Sequence, residues 1–237
     1  SVLVSKILIP AVLAPLTAGL VSYLATKIAY AVTRKRQRNG FKRGQVFTAS
    51  LVSLAHGTND AQKTMGVITL ALIAAGFQSS TSTGPEFWVI AACAVSIAAG
   101  TYSGGWRIIR TMGRGITEVE PAQGFSAEAA TIASILASTH LGFALSTTQV
   151  ASGGVIGTGL GRKGASVRWR TAGRIALGWL ITIPAAGVVG AAAALLVGLG
   201  PGGIITAVVL AVVAITGIFL WSRRSRVDHR NLHQPEP

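Results

Sequence analysis

The sequence predicts an all-α transmembrane protein, a helical bundle that contains one broken helix and one re-entrant helical hairpin. Half of the 237 residues are hydrophobic and only 12% are charged, and the mean hydropathy is +0.56. Because a soluble domain carries about a quarter charged residues, this deficit excludes an ordinary soluble fold. The 29 glycines suit helices that pack closely in lipid.

The position of the positive charges indicates how the chain crosses the membrane. The net charge of +14 comes from 21 Lys and Arg against 7 Asp and Glu, an excess that in a soluble protein would indicate a nucleic-acid ligand. Here it is concentrated in four short clusters between apolar runs, at 34–43, 107–114, 162–174 and 223–230. Such clusters are typical of cytoplasmic loops. We therefore predict a multi-pass protein of the cytoplasmic (cell) membrane, in contact with lipid and not with nucleic acid, with a cytoplasmic C-terminus.

Five apolar runs are long enough to cross the hydrocarbon core of about 30 Å. In chain order they cover residues 7–32, 44–77, 87–106, 175–200 and 203–221. Prolines inside such runs are tolerated in membrane helices. The runs predict one transmembrane domain over residues 1–222, followed by a basic cytoplasmic tail over residues 223–237.

Residues 125–160 do not fit a simple crossing. The segment is largely apolar, but a basic cluster lies on each side of it. If both clusters are cytoplasmic, the segment enters and leaves the membrane by the same face. It is too short for two spans of about 20 residues plus a turn. We therefore predict a re-entrant helical hairpin with its tip near residues 141–149.

Two acidic residues stand out because they lie inside apolar segments. Of the seven Asp and Glu residues, only Asp60 and Glu128 do so. An ionisable group in the bilayer costs about 2.5 kcal/mol or more and normally faces a partner or a cavity. Both residues are therefore candidates for binding substrate or a coupling ion.

Asp60 belongs to the run HGTNDAQK at residues 56–63. Glycine relaxes a helix, and Asn and Asp favour local bonds between side chain and backbone, so this run predicts a broken helix of the kind that forms ion sites in transporters. If the helix resumes, Asp60, Lys63 and Thr64 share a face, and Asp60 could contact sodium or another cation. The alternative is an Asp60–Lys63 pair that only neutralises itself in a packed bundle.

The predicted hairpin tip carries a run of hydrogen-bonding side chains. The run consists of Ser146, Thr147, Thr148 and Gln149. Hydroxyls and free backbone amides suit a tetrahedral oxyanion, especially beside a helix N-terminus. The alternative is hydrogen bonding between helices, which Ser and Thr commonly provide in membranes.

Nothing in the sequence predicts an enzyme. Patterns such as CxxC, HExxH and GxxxxGK[ST] do not occur, and the single cysteine, Cys93, lies in an apolar run. We predict no catalytic residues, no zinc site, no nucleotide-driven pump and no cofactor other than a coupling cation. His56 and His140 lie in apolar segments, where an imidazole can relay protons or donate a structural hydrogen bond.

Two segments resemble inorganic phosphate transporters of the PiT type. The first, GQVFTASLVSLAHGTNDAQKTMGVITLAL, resembles the motif of the second half of these proteins, and the second, GFSAEAATIASILASTHLGFALSTTQVASGGVIGTGL, resembles their hairpin region. The resemblance covers nearly the whole chain. It implies the C-terminal half of an inverted-repeat transporter that carries inorganic phosphate in symport with protons or sodium ions. The residues implied in binding are Asn59, Asp60, Gln62, Lys63, Glu128, Ser146, Thr147 and Thr148.

The chain departs from this family in three respects. Gln149 stands where the family usually has His, and Ala144 stands where it usually has Pro. Gln149 cannot be protonated, which argues against a proton role at that position. The chain also begins with Ser1 and contains only the second half of the family's pattern, so we expect a partial sequence whose site is completed by an N-terminal half or by a second subunit. Alternative functions are transport of another tetrahedral oxyanion such as sulfate, or a channel or scaffold subunit without coupled transport.

Overall fold

The computed structural model describes residues 5, 8–32, 38–79, 81, 84–143 and 145–224, and most of these residues are helical. The chain divides into two compact units, residues 1–168 and 169–237. Each unit is described separately below. Most of the predicted basic tail, from residue 225 onward, and Ala144 lie outside the described residues.

The predicted apolar runs correspond to helices with similar bounds. The first unit contains α1 (Ile9–Val32), α2 (Arg38–Ala74), α3 (Phe87–Gly104), α4 (Trp106–Arg110), α5 (Pro121–Leu141) and α6 (Thr147–Gly161), with a π-helical turn at Thr111–Gly115 between α4 and α5. The second contains α7 (Trp169–Val197) and α8 (Pro201–Arg224). Over the described residues, three helices are long and apolar enough to cross a membrane, at Ile9–Val32, Trp169–Val197 and Pro201–Trp221. The predicted all-helical membrane fold is confirmed.

Helices α5 and α6 form the predicted hairpin. Gly142 ends α5 in the left-handed conformation, with φ of 65°, which glycine adopts without a steric penalty. The Phe143 amide then donates to the Ser138 carbonyl oxygen at 3.0 Å and closes the last turn. The 15 residues of α6 span about 22 Å, less than the hydrocarbon core. The tip therefore lies within the predicted segment, and its second arm is too short to cross.

The base of the hairpin is fastened to the end of α1 by a polar network. Glu120, which precedes α5, pairs with Arg162 at the end of α6 over 3.0 Å and accepts a hydrogen bond from the Tyr30 hydroxyl at 2.8 Å. Gln123 is fully buried, accepts from the Glu120 amide at 3.0 Å and donates to the Thr158 carbonyl oxygen at 3.1 Å. The start of α5 and the end of α6 thus lie at the same end of the unit.

Contacts near the base also bring the first three basic clusters toward this end. Arg168, from the third cluster, donates to the carbonyl oxygen of Arg114, from the second. Phe41, from the first cluster, packs its ring edge-on against Phe125 of α5, with 5.8 Å between ring centroids. A hairpin that enters and leaves by one face requires this arrangement. The fourth cluster belongs to the other unit.

The predicted break in α2 is wrong, because the helix continues without interruption through residues 56–63. The Asp60 side chain, which was expected to compete for the helix backbone, contacts a side chain one turn earlier on the same helix instead. His56 Nε2 lies 3.3 Å from Asp60 Oδ2, and Thr58 Oγ1 donates to the Leu54 carbonyl oxygen at 2.8 Å. Pairs spaced four residues apart stabilise a helix.

Helix α6 packs directly on the backbone of α1. Gly153, Gly157 and Gly161 repeat every fourth residue on the face of α6 that contacts α1. A Cβ atom added to Gly157 would overlap the backbone of Gly19, and one added to Gly161 would lie 2.8 Å from the Tyr23 carbonyl oxygen. Small residues at this spacing allow two membrane helices to approach closely.

This contact predicts a large effect for a single methyl group. Gly157→Ala should lower the free energy of unfolding by about 1–3 kcal/mol, because the close-packed helices must separate. Gly187→Ala is the control, since a Cβ atom there has no neighbour within 4 Å and should leave stability unchanged or slightly higher. The measurement is the Tm of each purified variant in detergent. Equal Tm values would contradict the close contact.

Candidate functional site

The polar motif of α2 and the hairpin tip meet in the folded chain. Lys63 Nζ donates to the Leu145 carbonyl oxygen at 2.7 Å. Thr147 Oγ1, in the first turn of α6, donates to Asp60 Oδ2 at 3.5 Å. Residues that are more than 80 positions apart in the sequence therefore form one group. We call Asp60, His56, Lys63, Thr147 and the Leu145 carbonyl the tip cluster.

Within the tip cluster, the Asp60 carboxylate is surrounded by donors. Lys63 Nζ lies 3.2 Å from Oδ1, while His56 Nε2 and Thr147 Oγ1 both approach Oδ2. The Asp60 side chain is 38% exposed, so it remains accessible within this chain. Its negative charge is thus balanced locally by Lys63 of its own helix, and a hydroxyl from the tip adds a further contact.

The tip presents the N-terminus of α6 beside this carboxylate. Ser146 caps the helix, because its side-chain oxygen accepts from the Gln149 amide at 3.4 Å. Thr147 is buried, whereas Thr148 is exposed. The first turn of a helix carries unpaired N–H groups and a partial positive charge. The tip therefore offers the donors that an oxyanion requires.

Two buried polar atoms near the tip cluster have no hydrogen-bond partner among the described residues. They are Asn59 Nδ2 on α2 and Gln149 Oε1 on α6. Buried polar atoms are nearly always paired, so a donor and an acceptor are left for a ligand, a water molecule or another part of the protein. Gln149, the departure from the family pattern, thus lies in the same region as the predicted site.

Glu128 belongs to a second, separate group. It accepts a hydrogen bond from Thr48 Oγ1, and no basic side chain pairs with it in the part of the chain that the structure describes. Thr48 and Asp60 both lie on α2, about 18 Å apart along the helix axis at ~1.5 Å per residue. We call Glu128 and Thr48 the Glu128 pair. The predicted residues of the two groups therefore contact α2 at two positions along its length.

Two further predicted residues on α2 are not part of either group, and some of the contacts that Asp60, Glu128 and Lys63 make were not predicted from the sequence. Gln62 and Thr64 are exposed. The contact of His56 with Asp60 could have been predicted from the sequence, because the two residues are one helical turn apart. The contacts of Thr48 with Glu128 and of the Leu145 carbonyl with Lys63 could not, because no local spacing in the sequence connects these residues.

Comparison with known proteins identifies the family of this chain. The sequence model described as the phosphate transporter family matches residues 27–190. The chain belongs to the phosphate transporter family. Within this family, a probable low-affinity inorganic phosphate transporter of Mycobacterium tuberculosis is 54% identical over 237 residues, which cover 97% of this chain and 57% of the relative. The sodium-dependent phosphate transporter 1 of Mus musculus is 32% identical over 148 residues, 62% of this chain and 22% of the relative.

One solved structure shares the fold. A chain described as the sodium-dependent phosphate transporter aligns with a TM-score of 0.62 and 20% identity, over 75% of this chain and 62% of that structure. The present chain spans 57% of the length of its mycobacterial relative. The predicted family membership is confirmed, while the roles of individual residues remain predictions.

The contacts of Asp60 predict that its charge is needed for function in this phosphate transporter family member. In the full-length protein, Asp60→Asn preserves shape but removes the negative charge that faces Lys63. Loss of one such charged contact costs about 1.5–3 kcal/mol, so phosphate uptake should fall about tenfold or more. Uptake of labelled phosphate and membrane level are measured together. Glu86→Gln, at an exposed site before α3, is the control. Normal uptake by Asp60→Asn would leave Asp60 a structural residue.

Proposed function

We propose that this chain forms part of a symporter that carries inorganic phosphate across the cytoplasmic membrane together with protons or sodium ions. The observation that carries the proposal is the position of the α6 N-terminus and its hydroxyls beside the Asp60–Lys63 pair. The names of its relatives, inorganic phosphate transporters among them, support the choice of oxyanion. An N-terminal half, or a second subunit, completes the site.

The chemistry of the tip cluster suits phosphate. A tetrahedral oxyanion needs several donors from different directions, and the first turn of α6, Thr147, Thr148 and Lys63 provide backbone, hydroxyl and ammonium donors. The unpaired Asn59 Nδ2 adds an amide donor. The positive end of α6 favours a negative ligand.

Two carboxylates explain why a cation accompanies phosphate. A negative charge about 4 Å from a carboxylate experiences a repulsion of about 4 kcal/mol at an effective dielectric constant of 20. Lys63 offsets this repulsion at Asp60, and a cation that enters with phosphate neutralises the second carboxylate, that of Glu128. The Glu128 pair suits the cation, because its carboxylate has a hydroxyl neighbour and lies well away from the tip cluster. The tip would bind phosphate, and Glu128 would bind the cation or proton.

The direct test of transport is uptake into cells that lack their own phosphate transporters and express the full-length protein. Uptake should saturate with phosphate concentration and should stop when an ionophore removes the cation gradients. Excess sulfate should not compete. Competition by sulfate would indicate a different oxyanion, and uptake that does not saturate would indicate a channel.

The hydroxyls at the tip should determine phosphate affinity. Thr147→Val and Thr148→Val keep the branched shape and delete the donor. One lost hydrogen bond to a charged group corresponds to about ten- to a hundredfold in affinity, so at least one variant should raise the half-saturating phosphate concentration by that factor. Thr182→Val, which removes an exposed hydroxyl bonded within α7, is the control. Normal affinity in both tip variants would make these threonines packing residues.

Glu128 should control coupling more than phosphate affinity. Glu128→Gln retains an oxygen that can accept a hydrogen bond from the Thr48 hydroxyl but removes the negative charge of the carboxylate. Phosphate should still bind with nearly normal affinity, whereas uptake should lose its normal dependence on pH or on the cation. Uptake is measured against phosphate concentration at two pH values, with sodium and with choline. Glu118→Gln, at an exposed residue, serves as the control. A variant with weakened phosphate affinity and intact coupling would reverse the proposed roles.

A further inference from the structure

The Lys63 ammonium lies between two oxygen atoms that come from different parts of the fold. Its Nζ is 3.2 Å from Asp60 Oδ1 on α2 and 2.7 Å from the Leu145 carbonyl oxygen at the hairpin tip. Carboxylate and backbone carbonyl oxygens are the ligands that hard metal cations also select. The Lys63 ammonium therefore occupies a position between α2 and the tip that a free metal cation could otherwise occupy.

We propose that Lys63 is a tethered cation, by which we mean a side-chain charge that takes the place of a sodium ion at Asp60. It is a positioning residue that holds the tip against α2 and offsets the Asp60 charge, so that phosphate binds at the tip without sodium there. This inference rests on the proposed function and assigns a role to Lys63 within it. The exchangeable cation then belongs elsewhere, and Glu128 is the candidate within the described residues.

The surroundings of Asp60 support a permanent cation at this position. Its other oxygen, Oδ2, is contacted by His56 and Thr147, so both carboxylate oxygens already have donors. A sodium ion would need oxygen ligands, whereas two of the three side chains that contact Asp60, those of Lys63 and His56, bring nitrogen atoms. The donor set therefore fits an ammonium better than sodium.

The carbonyl that Lys63 contacts is itself held firmly. Leu145 is 5% exposed and packs in a small core with Ala14 and Ala18 of α1 and Val150 of α6. The next residue, Ser146, caps α6. A hydrogen bond to the Leu145 carbonyl therefore holds the start of α6, and with it the proposed phosphate donors, at a defined distance from Asp60.

Substitutions of Lys63 in the full-length transporter test this assignment. Lys63→Ala removes the ammonium and leaves space for an ion, Lys63→Met removes the charge but fills the space, and Lys63→Gln keeps a donor for the Leu145 carbonyl without charge. Lys163→Ala, at an exposed lysine after α6, is the matched control. Phosphate uptake is measured while sodium replaces choline at a constant ionic strength of about 0.15 M, so that screening does not change.

We expect the variants to differ in their response to sodium. Without sodium, Lys63→Ala should lose about tenfold or more in phosphate affinity, and sodium should restore much of the loss. Lys63→Met should stay impaired in both solutions, and adding Asp60→Asn to Lys63→Ala should abolish the sodium response. Lys63→Gln should also need more phosphate for half-maximal uptake.

Three results would overturn the assignment. The first is a normal phosphate affinity of Lys63→Ala or Lys63→Gln when choline replaces sodium. The second is Lys63→Ala that reaches the membrane but responds to sodium no more than the wild type does. The third is failure of all three variants to reach the membrane, which would make Lys63 a folding residue. Absence of phosphate uptake by the wild type in both the sodium and the choline solution is a separate outcome and would refute the proposed function itself.

Discussion

The backbones of α1 and α6 touch with no side chain between them, and the position of the hairpin depends on this contact. Glycines at every fourth residue of α6 allow it, and a single added methyl group would collide with Gly19. Helices that approach this closely in lipid gain van der Waals contact in place of the hydrophobic effect, which does not drive association there. The hairpin is thus held along α1, and its tip extends toward α2.

Polar contacts hold the hairpin at both of its ends. At the base, Glu120, Arg162 and Gln123 connect the two arms with the end of α1. At the tip, Lys63 and Asp60 connect α2 with the start of α6. Because unpaired polar groups are costly in a membrane, each group constrains the helices that carry its partners. The hairpin is therefore fixed at its two ends by charge and along its length by close packing.

The two acidic residues in apolar segments have different environments. Asp60 has two basic neighbours on its own helix, whereas Glu128 contacts the Thr48 hydroxyl. The Asp60 carboxylate already has the Lys63 ammonium as a counter-charge, whereas Glu128, whose contact among the described residues is a neutral hydroxyl, can pair with a cation. This difference is the physical basis of our proposal that phosphate binds at the tip and the coupling cation at Glu128.

The sequence by itself determined the membrane class, the helices, the hairpin and the family, because apolar length, basic clusters and motif spacing are local properties of the chain. It also indicated Asp60, Glu128 and the tip hydroxyls as candidate binding residues. Only the tertiary structure decided that α2 remains one continuous helix, that Lys63 reaches the Leu145 carbonyl and that Glu128 pairs with Thr48. These contacts join residues about 80 positions apart, and helix packing, which no local spacing encodes, brings such residues together.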